Sequence, residues 1–243
     1  MHPVLFEIGS FTIYSYGFFV ALAMMSAFFA AQWQAKTLKV SAGTATDLLF
    51  VLFVSGVIGA RLFYIGQNFG EYQKDFWKIF SLREGGLVWY GGFITAVLAG
   101  MVYARARRLL FFKWCDFLAP ILALGHGIGR IGCFFNGCCY GRVTAGQRPA
   151  GLVAGHLIPI QLYESAALLV LSVYLFYRIR RPHTDGEIFA EYLVFYSASR
   201  FVIEFWRGDQ IPVASLTIPQ WISLFLFVSA LAWMISLRKK RPV

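Results

Sequence analysis

The chain has 243 residues, of which 58% are hydrophobic and 14% are charged, and its mean hydropathy is +0.63. This apolar share excludes an ordinary soluble domain and indicates an integral membrane protein. The net charge of +10 is also typical of nucleic-acid binders. However, the basic residues fall in short clusters between apolar runs, a pattern that orients helices in a bilayer. We therefore expect a lipid bilayer as a partner and no nucleic acid.

Seven apolar segments approach the length of about 20 residues that a membrane-spanning helix needs. They cover residues 16–33, 45–65, 87–103, 114–131, 161–177, 188–205 and 219–237. The fourth segment is the least regular, because it contains Asp116, Pro120 and His126 and ends in a stretch with four glycines from Gly125 to Gly132. Placing the basic tail, residues 238–241, in the cytoplasm puts more than twice as many Lys and Arg residues inside as outside.

The predicted fold class is therefore all-α: a polytopic membrane protein with about seven transmembrane helices, the N-terminus outside and the C-terminus inside. Two long connections, residues 66–86 and 132–160, would lie on the periplasmic side as interfacial arms. The sequence shows no internal repeat and no soluble segment of domain length, so residues 1–243 form one predicted membrane domain.

The outer ends of the first three predicted spans carry candidate site residues. Tyr16 opens the first span, and Arg61 lies in the outer half of the second. Tyr90 opens the third, between Trp89 and the pair Gly91-Gly92, which permits a close backbone approach around its phenol. A place in the interfacial aromatic belt is the alternative for Tyr90.

The stretch Gly129-Arg130-Ile131-Gly132-Cys133-Phe134-Phe135-Asn136-Gly137-Cys138-Cys139-Tyr140-Gly141 ends the fourth span. The Arg130 guanidinium is suited to a phosphate or carboxylate, and the glycines let the backbone approach a ligand. The alternative is a Gly-rich helix exit with a snorkelling arginine. His126 lies one turn before Arg130, where a hydrogen-bonded interior histidine is the simpler interpretation.

The cysteines of this stretch predict no metal site, because adjacent cysteines seldom bind one ion well and no histidine has ligand-like spacing. A disulfide of Cys133 with Cys138 or Cys139 is one alternative on an oxidising side of the membrane. Packing thiols are the simplest account.

The last two predicted sets of site residues are on the fifth and sixth spans. Gln161, Tyr163 and Glu164 open the fifth span and are more polar than a helix start requires. Arg200, Glu204 and Arg207 have the spacing i, i+4, i+7, which places them on one helical face. Ionisable groups inside a membrane span are functional candidates, and a structural ion pair at a helix end is the alternative.

These ordered motifs resemble those of the prolipoprotein diacylglyceryl transferases of bacterial inner membranes, over essentially the whole chain. The family signature runs Gly-Arg-x-Gly-Asn-Phe-x-Asn-Gly-Glu-x-x-Gly. Cys133 stands here at the Asn position and Cys138 at the Glu position. Tyr90 stands where many members have a histidine proposed as a base, so the resemblance leaves the base unassigned.

The resemblance implies transfer of the diacylglyceryl group of phosphatidylglycerol to the lipobox cysteine in the signal peptide of a preprolipoprotein. The products would be a thioether and glycerol phosphate, at the periplasmic face of the inner membrane, without cofactor or metal. Arg130 and Arg200 would be catalytic by neutralising phosphate, with Glu204 orienting arginines and Tyr90 relaying the proton. The predicted substrate-binding residues are Arg130, Arg61, Arg207, Tyr16, Asn136, Gly141, Gln161, Tyr163 and Glu164. A phospholipid flippase or anion transporter with the same arginines along its path is the competing hypothesis.

Overall fold

The computed structural model describes residues 2–8, 11–72, 79, 86–142, 158–207 and 215–239. The helices in these ranges are α1 (Ser15–Leu38), α2 (Ala42–Gln67), α3 (Phe69–Tyr72), α4 (Trp89–Ala106), α5 (Phe111–Asn136), α6 (Ile160–Arg178), α7 (Glu187–Glu204) and α8 (Ile218–Lys239). All except the four-residue α3 coincide with predicted spans. The all-α, polytopic class is confirmed.

Among the described residues, five helices are long and apolar enough to cross a membrane: α1, α2, α5, α6 and α8. The other two long helices, α4 and α7, have 18 residues each. At about 1.5 Å per residue each reaches about 27 Å, slightly less than a bilayer core of about 30 Å. The count of seven spans and their orientation stay predictions. Most of both predicted interfacial arms lies outside the described residues.

A small β-hairpin precedes α1 and was not predicted. Strand β1 (Val4–Ile8) pairs antiparallel with β2 (Phe11–Tyr14), which runs directly into α1. The Ser15 amide donates to Pro3 O at 2.9 Å, and its hydroxyl donates to His2 O. The His2 amide donates to Phe135 O at 3.1 Å, so these bonds hold the chain start beside the end of α5.

The chain divides into two compact units, and residues 31–111 form one of them. In this unit α2 and α4 pack closely through small residues. A Cβ atom on Gly92 would lie 2.9 Å from Gly56 O, and the Thr95 hydroxyl donates to Ser55 O at 3.0 Å. Small residues at such positions let two helix backbones approach, which is how helices associate in a membrane.

The second unit contains residues 1–30 and 112–243, and its helix α5 remains continuous through Pro120. Two buried serines of α6 donate to α5 carbonyls: Ser172 to Pro120 O and Ser165 to Gly127 O, both at 2.8 Å. Asp116 accepts hydrogen bonds from Gly186 N at 2.6 Å and Phe189 N at 2.7 Å. Its carboxylate therefore satisfies amides at the start of α7, which explains a charged residue in the fourth predicted span.

An ion-pair group with two buried carboxylates, here named the Arg178 cluster, contains Arg178, Glu187, Glu191 and the half-exposed Arg238. Arg178 lies 2.7 Å from Glu187 and 3.1 Å from Glu191, and Arg238 lies 2.9 Å from Glu191 and 3.2 Å from Glu187. Both carboxylates are at most 1% exposed. The cluster joins the end of α6 to the start of α7 and the end of α8.

Candidate functional site

The candidate site lies at the opposite ends of α6 and α7 from the Arg178 cluster. Arg130 is near the end of α5, Glu164 is in the first turns of α6, and Arg200 and Glu204 are in the last turns of α7. Arg207 follows α7 directly. We name these five residues the Arg130 cluster. Three helix ends meet there because α6 runs antiparallel to α7 and begins where α5 and α7 end.

The five side chains form a continuous series of ion pairs. Arg130 Nη2 lies 3.0 Å from Glu164 Oε1, and Arg200 Nη1 lies 3.5 Å from Glu164 Oε2. Arg200 Nη2 then lies 2.9 Å from Glu204 Oε2, which is 3.7 Å from Arg207 Nε. The i, i+4 spacing predicted the Arg200–Glu204 pair, but not the bridge that Glu164 makes between Arg130 and Arg200.

Burial makes the charge balance of this cluster important. The Glu164 and Glu204 side chains are 4% and 0% exposed, and those of Arg130, Arg200 and Arg207 are 16%, 13% and 6% exposed. Charges interact more strongly away from water. Because three guanidinium groups face two carboxylates, the cluster has one excess positive charge if both acids are ionised.

Two buried arginine nitrogens make no hydrogen bond within the described part of the chain. They are Arg130 Nε and Arg200 Nη1, although Arg200 Nη1 retains its longer ion pair with Glu164. A buried donor without a hydrogen bond destabilises a protein by about 1–3 kcal/mol. An anionic oxygen would satisfy such donors, so the geometry and the charge both suit a phosphate or carboxylate ligand.

Thr217 is a residue of this site that the sequence analysis missed. Its hydroxyl donates to Glu204 Oε1 at 3.1 Å, and it accepts a hydrogen bond from Gln220 N at 3.4 Å. Gln220 Oε1 accepts from Thr217 N at 2.9 Å, which completes a capping box at the start of α8. The Thr-x-x-Gln spacing was visible in the sequence and could have located this helix start, but not its contact with Glu204.

Gly141 joins the segment after α5 to the end of α7. It forms an antiparallel bridge with Arg207, Arg142 N donates to Trp206 O at 2.8 Å, and Arg142 Nε donates to Arg207 O at 3.0 Å. A Cβ atom on Gly141 would lie 2.9 Å from the Ile158 and Trp206 carbonyl oxygens. The structure thus gives Gly141 a packing role that fixes the backbone of Arg207.

The other predicted residues of this unit differ in burial. Gln161 is buried and donates through Nε2 to Cys138 O at 2.6 Å. Tyr16 and Tyr163 are 45% and 53% exposed, and Asn136 is the exposed last residue of α5. His126 lies one turn before Arg130 on α5, and its ring is 5.7 Å from the ring of Tyr196.

Arg61 and Tyr90 belong to the other compact unit. Arg61 is buried and donates to Ile79 O at 3.0 Å and Gly86 O at 3.2 Å, with its guanidinium 5.7 Å and 5.6 Å from the rings of Tyr64 and Tyr72. Tyr90 is 63% exposed in the first turn of α4. Their roles in a shared site stay predictions.

Comparisons with known proteins identify the same family over nearly the full length of this chain. The profile of the family described as prolipoprotein diacylglyceryl transferase matches residues 3–236. A Clostridium botulinum protein named phosphatidylglycerol–prolipoprotein diacylglyceryl transferase is 30% identical over 250 residues, covering 99% of this chain and 98% of that protein. A protein with the same name from Clostridium kluyveri is 30% identical, over 98% of this chain and 97% of that protein. Another, from a second Clostridium botulinum strain, is 32% identical, over 92% of this chain and 94% of that protein. This chain belongs to the prolipoprotein diacylglyceryl transferase family.

Proposed function

We propose that this protein transfers the diacylglyceryl group of phosphatidylglycerol to the lipobox cysteine of preprolipoproteins. The cysteine thiolate attacks the glyceryl carbon that bears the phosphate. A carbon–sulfur bond forms as the carbon–oxygen bond breaks, and glycerol phosphate leaves with the bonding electron pair. The thiol proton passes to a base, and Tyr90 remains the predicted relay.

The observation that carries this proposal is the Arg130 cluster, in a chain whose relatives are named for this reaction. Its excess positive charge and the buried Arg130 Nε suit the phosphodiester of a lipid. A phosphate leaving group gains negative charge as its bond to carbon breaks. Guanidinium donors fixed beside the phosphate would stabilise this developing charge in the transition state more than they stabilise the phosphodiester in the ground state.

The described contacts suggest a distinct role for each member of the cluster. Arg130 would bind the phosphate, because its Nε atom is buried and makes no hydrogen bond to the described residues. Arg200 would assist, held between Glu164 and Glu204. Arg207 would contribute charge from a backbone position fixed by Gly141. Glu164 and Glu204 then serve as positioning residues that orient the guanidinium planes.

Charge asymmetry and the family both support a proposed location. We place the protein in the bacterial inner membrane, as one multi-pass domain with the Arg130 cluster toward the periplasm. The Arg178 cluster lies near the basic end of α8, which the positive-inside rule assigns to the cytoplasm. The transporter hypothesis finds no support among the relatives, which are named as transferases.

A transfer assay tests this function directly. It combines the purified protein in detergent with phosphatidylglycerol and a lipobox peptide. We expect glycerol phosphate release together with a peptide mass gain equal to one diacylglyceryl group. A peptide with serine in place of the lipobox cysteine is the matched control and should give neither product. Lipid binding without either product from the cysteine peptide would contradict the proposal.

A further inference from the structure

Three sulfur atoms converge where α5 ends. The Sγ atoms of Cys133, Cys138 and Cys139 all lie within 4.8 Å of one another, and all three side chains are partly buried free thiols. Neither the Arg130 cluster nor the proposed transfer uses them. We refer to these residues as the three-cysteine group.

The helix end explains why residues so close in sequence converge. Gly137 has a φ of +75°, Gly137 N donates to Phe134 O, and Cys138 N donates to Cys133 O, both at 3.2 Å. These two bonds form a Schellman motif, which folds Cys138 back onto Cys133.

Cys139 completes the turn in an unusual backbone conformation. Its φ is +59°, in the left-handed region that residues other than glycine seldom adopt. The Sγ atoms of the adjacent Cys138 and Cys139 lie close together, although adjacent cysteines seldom bind one ion well. The hydrogen bond from Gln161 to Cys138 O, at 2.6 Å, holds the segment against α6. The three sulfurs are therefore placed together by the backbone.

Thiolate sulfur is the ligand preferred by soft metal ions such as Cu(I) and Zn²⁺. With metal–sulfur bonds of about 2.3 Å, three sulfurs around one ion in a plane are about 4 Å apart. Sulfurs already within 4.8 Å need only small shifts to reach that geometry.

We propose that Cys133, Cys138 and Cys139 bind one thiophilic d10 metal ion through their three sulfurs. A bound ion would fix the segment that leads to Gly141, and thereby the backbone of Arg207. Three sulfur ligands suffice for trigonal Cu(I), whereas Zn²⁺ would also need a fourth ligand such as water. This proposal does not depend on the proposed transferase reaction.

Cadmium titration of the full chain tests the site without any substrate. Reduced, chelator-treated protein in detergent should bind one Cd²⁺ per chain and develop thiolate-to-metal charge-transfer absorption. Competition with Zn²⁺ and with Cu(I) then identifies the ion that binds more tightly. We expect the bound ion to raise the thermal unfolding temperature, because it binds the folded state.

Single substitutions distinguish this site from adventitious binding. Cys133→Ser, Cys138→Ser and Cys139→Ser should each weaken Cd²⁺ binding by at least about tenfold. Cys115→Ser is the matched control and should bind normally, because Cys115 lies 18 residues before Cys133 on α5, or about 27 Å along the helix. Size-exclusion profiles establish that each variant is folded.

Three outcomes would overturn the proposal. One is Cd²⁺ binding that depends on Cys115, and another is binding that survives any one of the three other substitutions. The third is a disulfide within the three-cysteine group that forms in the purified protein and persists under the reducing conditions of the titration. All three are read from binding or thiol counts, so they remain distinct from a failure of the transfer assay.

Discussion

Glu164 and Glu191 are matched carboxylates at opposite ends of the α6–α7 pair. Each is buried and bridges two arginines, Glu164 between Arg130 and Arg200, and Glu191 between Arg178 and Arg238. They differ in surroundings, since the Arg178 cluster has equal numbers of acids and arginines and the Arg130 cluster has an excess of arginine. This pair allows a test that separates stability from function.

We expect Glu164→Gln to lower diacylglyceryl transfer by about tenfold or more, because Arg130 would lose its carboxylate partner and Arg200 would keep only its pair with Glu204. Glu191→Gln should leave transfer within about twofold of wild type while lowering the thermal unfolding temperature. Breaking a buried ion pair typically destabilises by about 3–5 kcal/mol. Glycerol phosphate release and thermal unfolding, measured on both variants, check this prediction. Equal losses of transfer in the two variants would contradict it.

Arg130→Ala should lower transfer by about 100-fold or more, comparable to the loss of a donor that stabilises transition-state charge. Arg130→Lys should recover only part of this, because an ammonium lacks the planar fork and the Nε donor. Turnover at saturating phosphatidylglycerol is the measurement.

The control for Arg130 is Arg107→Ala, since Arg107 is 62% exposed, forms a 3.8 Å surface pair with Asp47 and lies 5.7 Å from the ring of Tyr103. It should retain full turnover. Wild-type rates in Arg130→Ala would remove Arg130 from the phosphate site.

Gly141→Ala should reduce both stability and transfer. The added methyl group would lie 2.9 Å from two backbone oxygens, so the strand-like bridge to Arg207 must shift. Gly125→Ala on α5 is the control, because its methyl group would meet no atom within 4 Å. Thermal unfolding and transfer rates of the two variants are compared. A Gly141→Ala protein with wild-type behaviour would show that the bridge does not position Arg207.

The predicted orientation is tested by reporters fused after residue 243. A fluorescent protein there should fold and fluoresce, whereas a phosphatase that requires periplasmic export should stay inactive. The reason is the basic end of α8, which includes Arg238 and Lys239 and is expected to remain in the cytoplasm. An active phosphatase fusion would reverse the proposed topology and place the Arg130 cluster on the cytoplasmic side.

The sequence predicted the long helices well because apolar length is a strong local signal in membrane proteins. Even the irregular fourth segment is one helix, α5, since Asp116 has partners at the start of α7. The β-hairpin was missed because its strands are only five and four residues long.

The site was predictable where it depended on helical spacing, as for Arg200 and Glu204. The Glu164 bridge and the Thr217 contact depend on how separate helices meet, which no local pattern specifies. The sequence analysis considered the three cysteines together but did not predict how closely their sulfurs lie. Cys139 has a left-handed backbone, a conformation unusual for that residue type, which no local pattern predicts.

The unequal numbers of arginines and acids in the Arg130 cluster have a consequence for turnover. One bound phosphodiester, with a single negative charge, would bring the proposed site to electrical neutrality. The glycerol phosphate product carries about −1.5 to −2 at pH 7, as expected for a phosphate monoester. The positive excess of the cluster attracts this product more strongly than the singly charged phosphodiester, which favours retention of the product over its release. Glycerol phosphate should accordingly inhibit transfer, and less strongly as the pH falls below about 6 and the product loses its second charge.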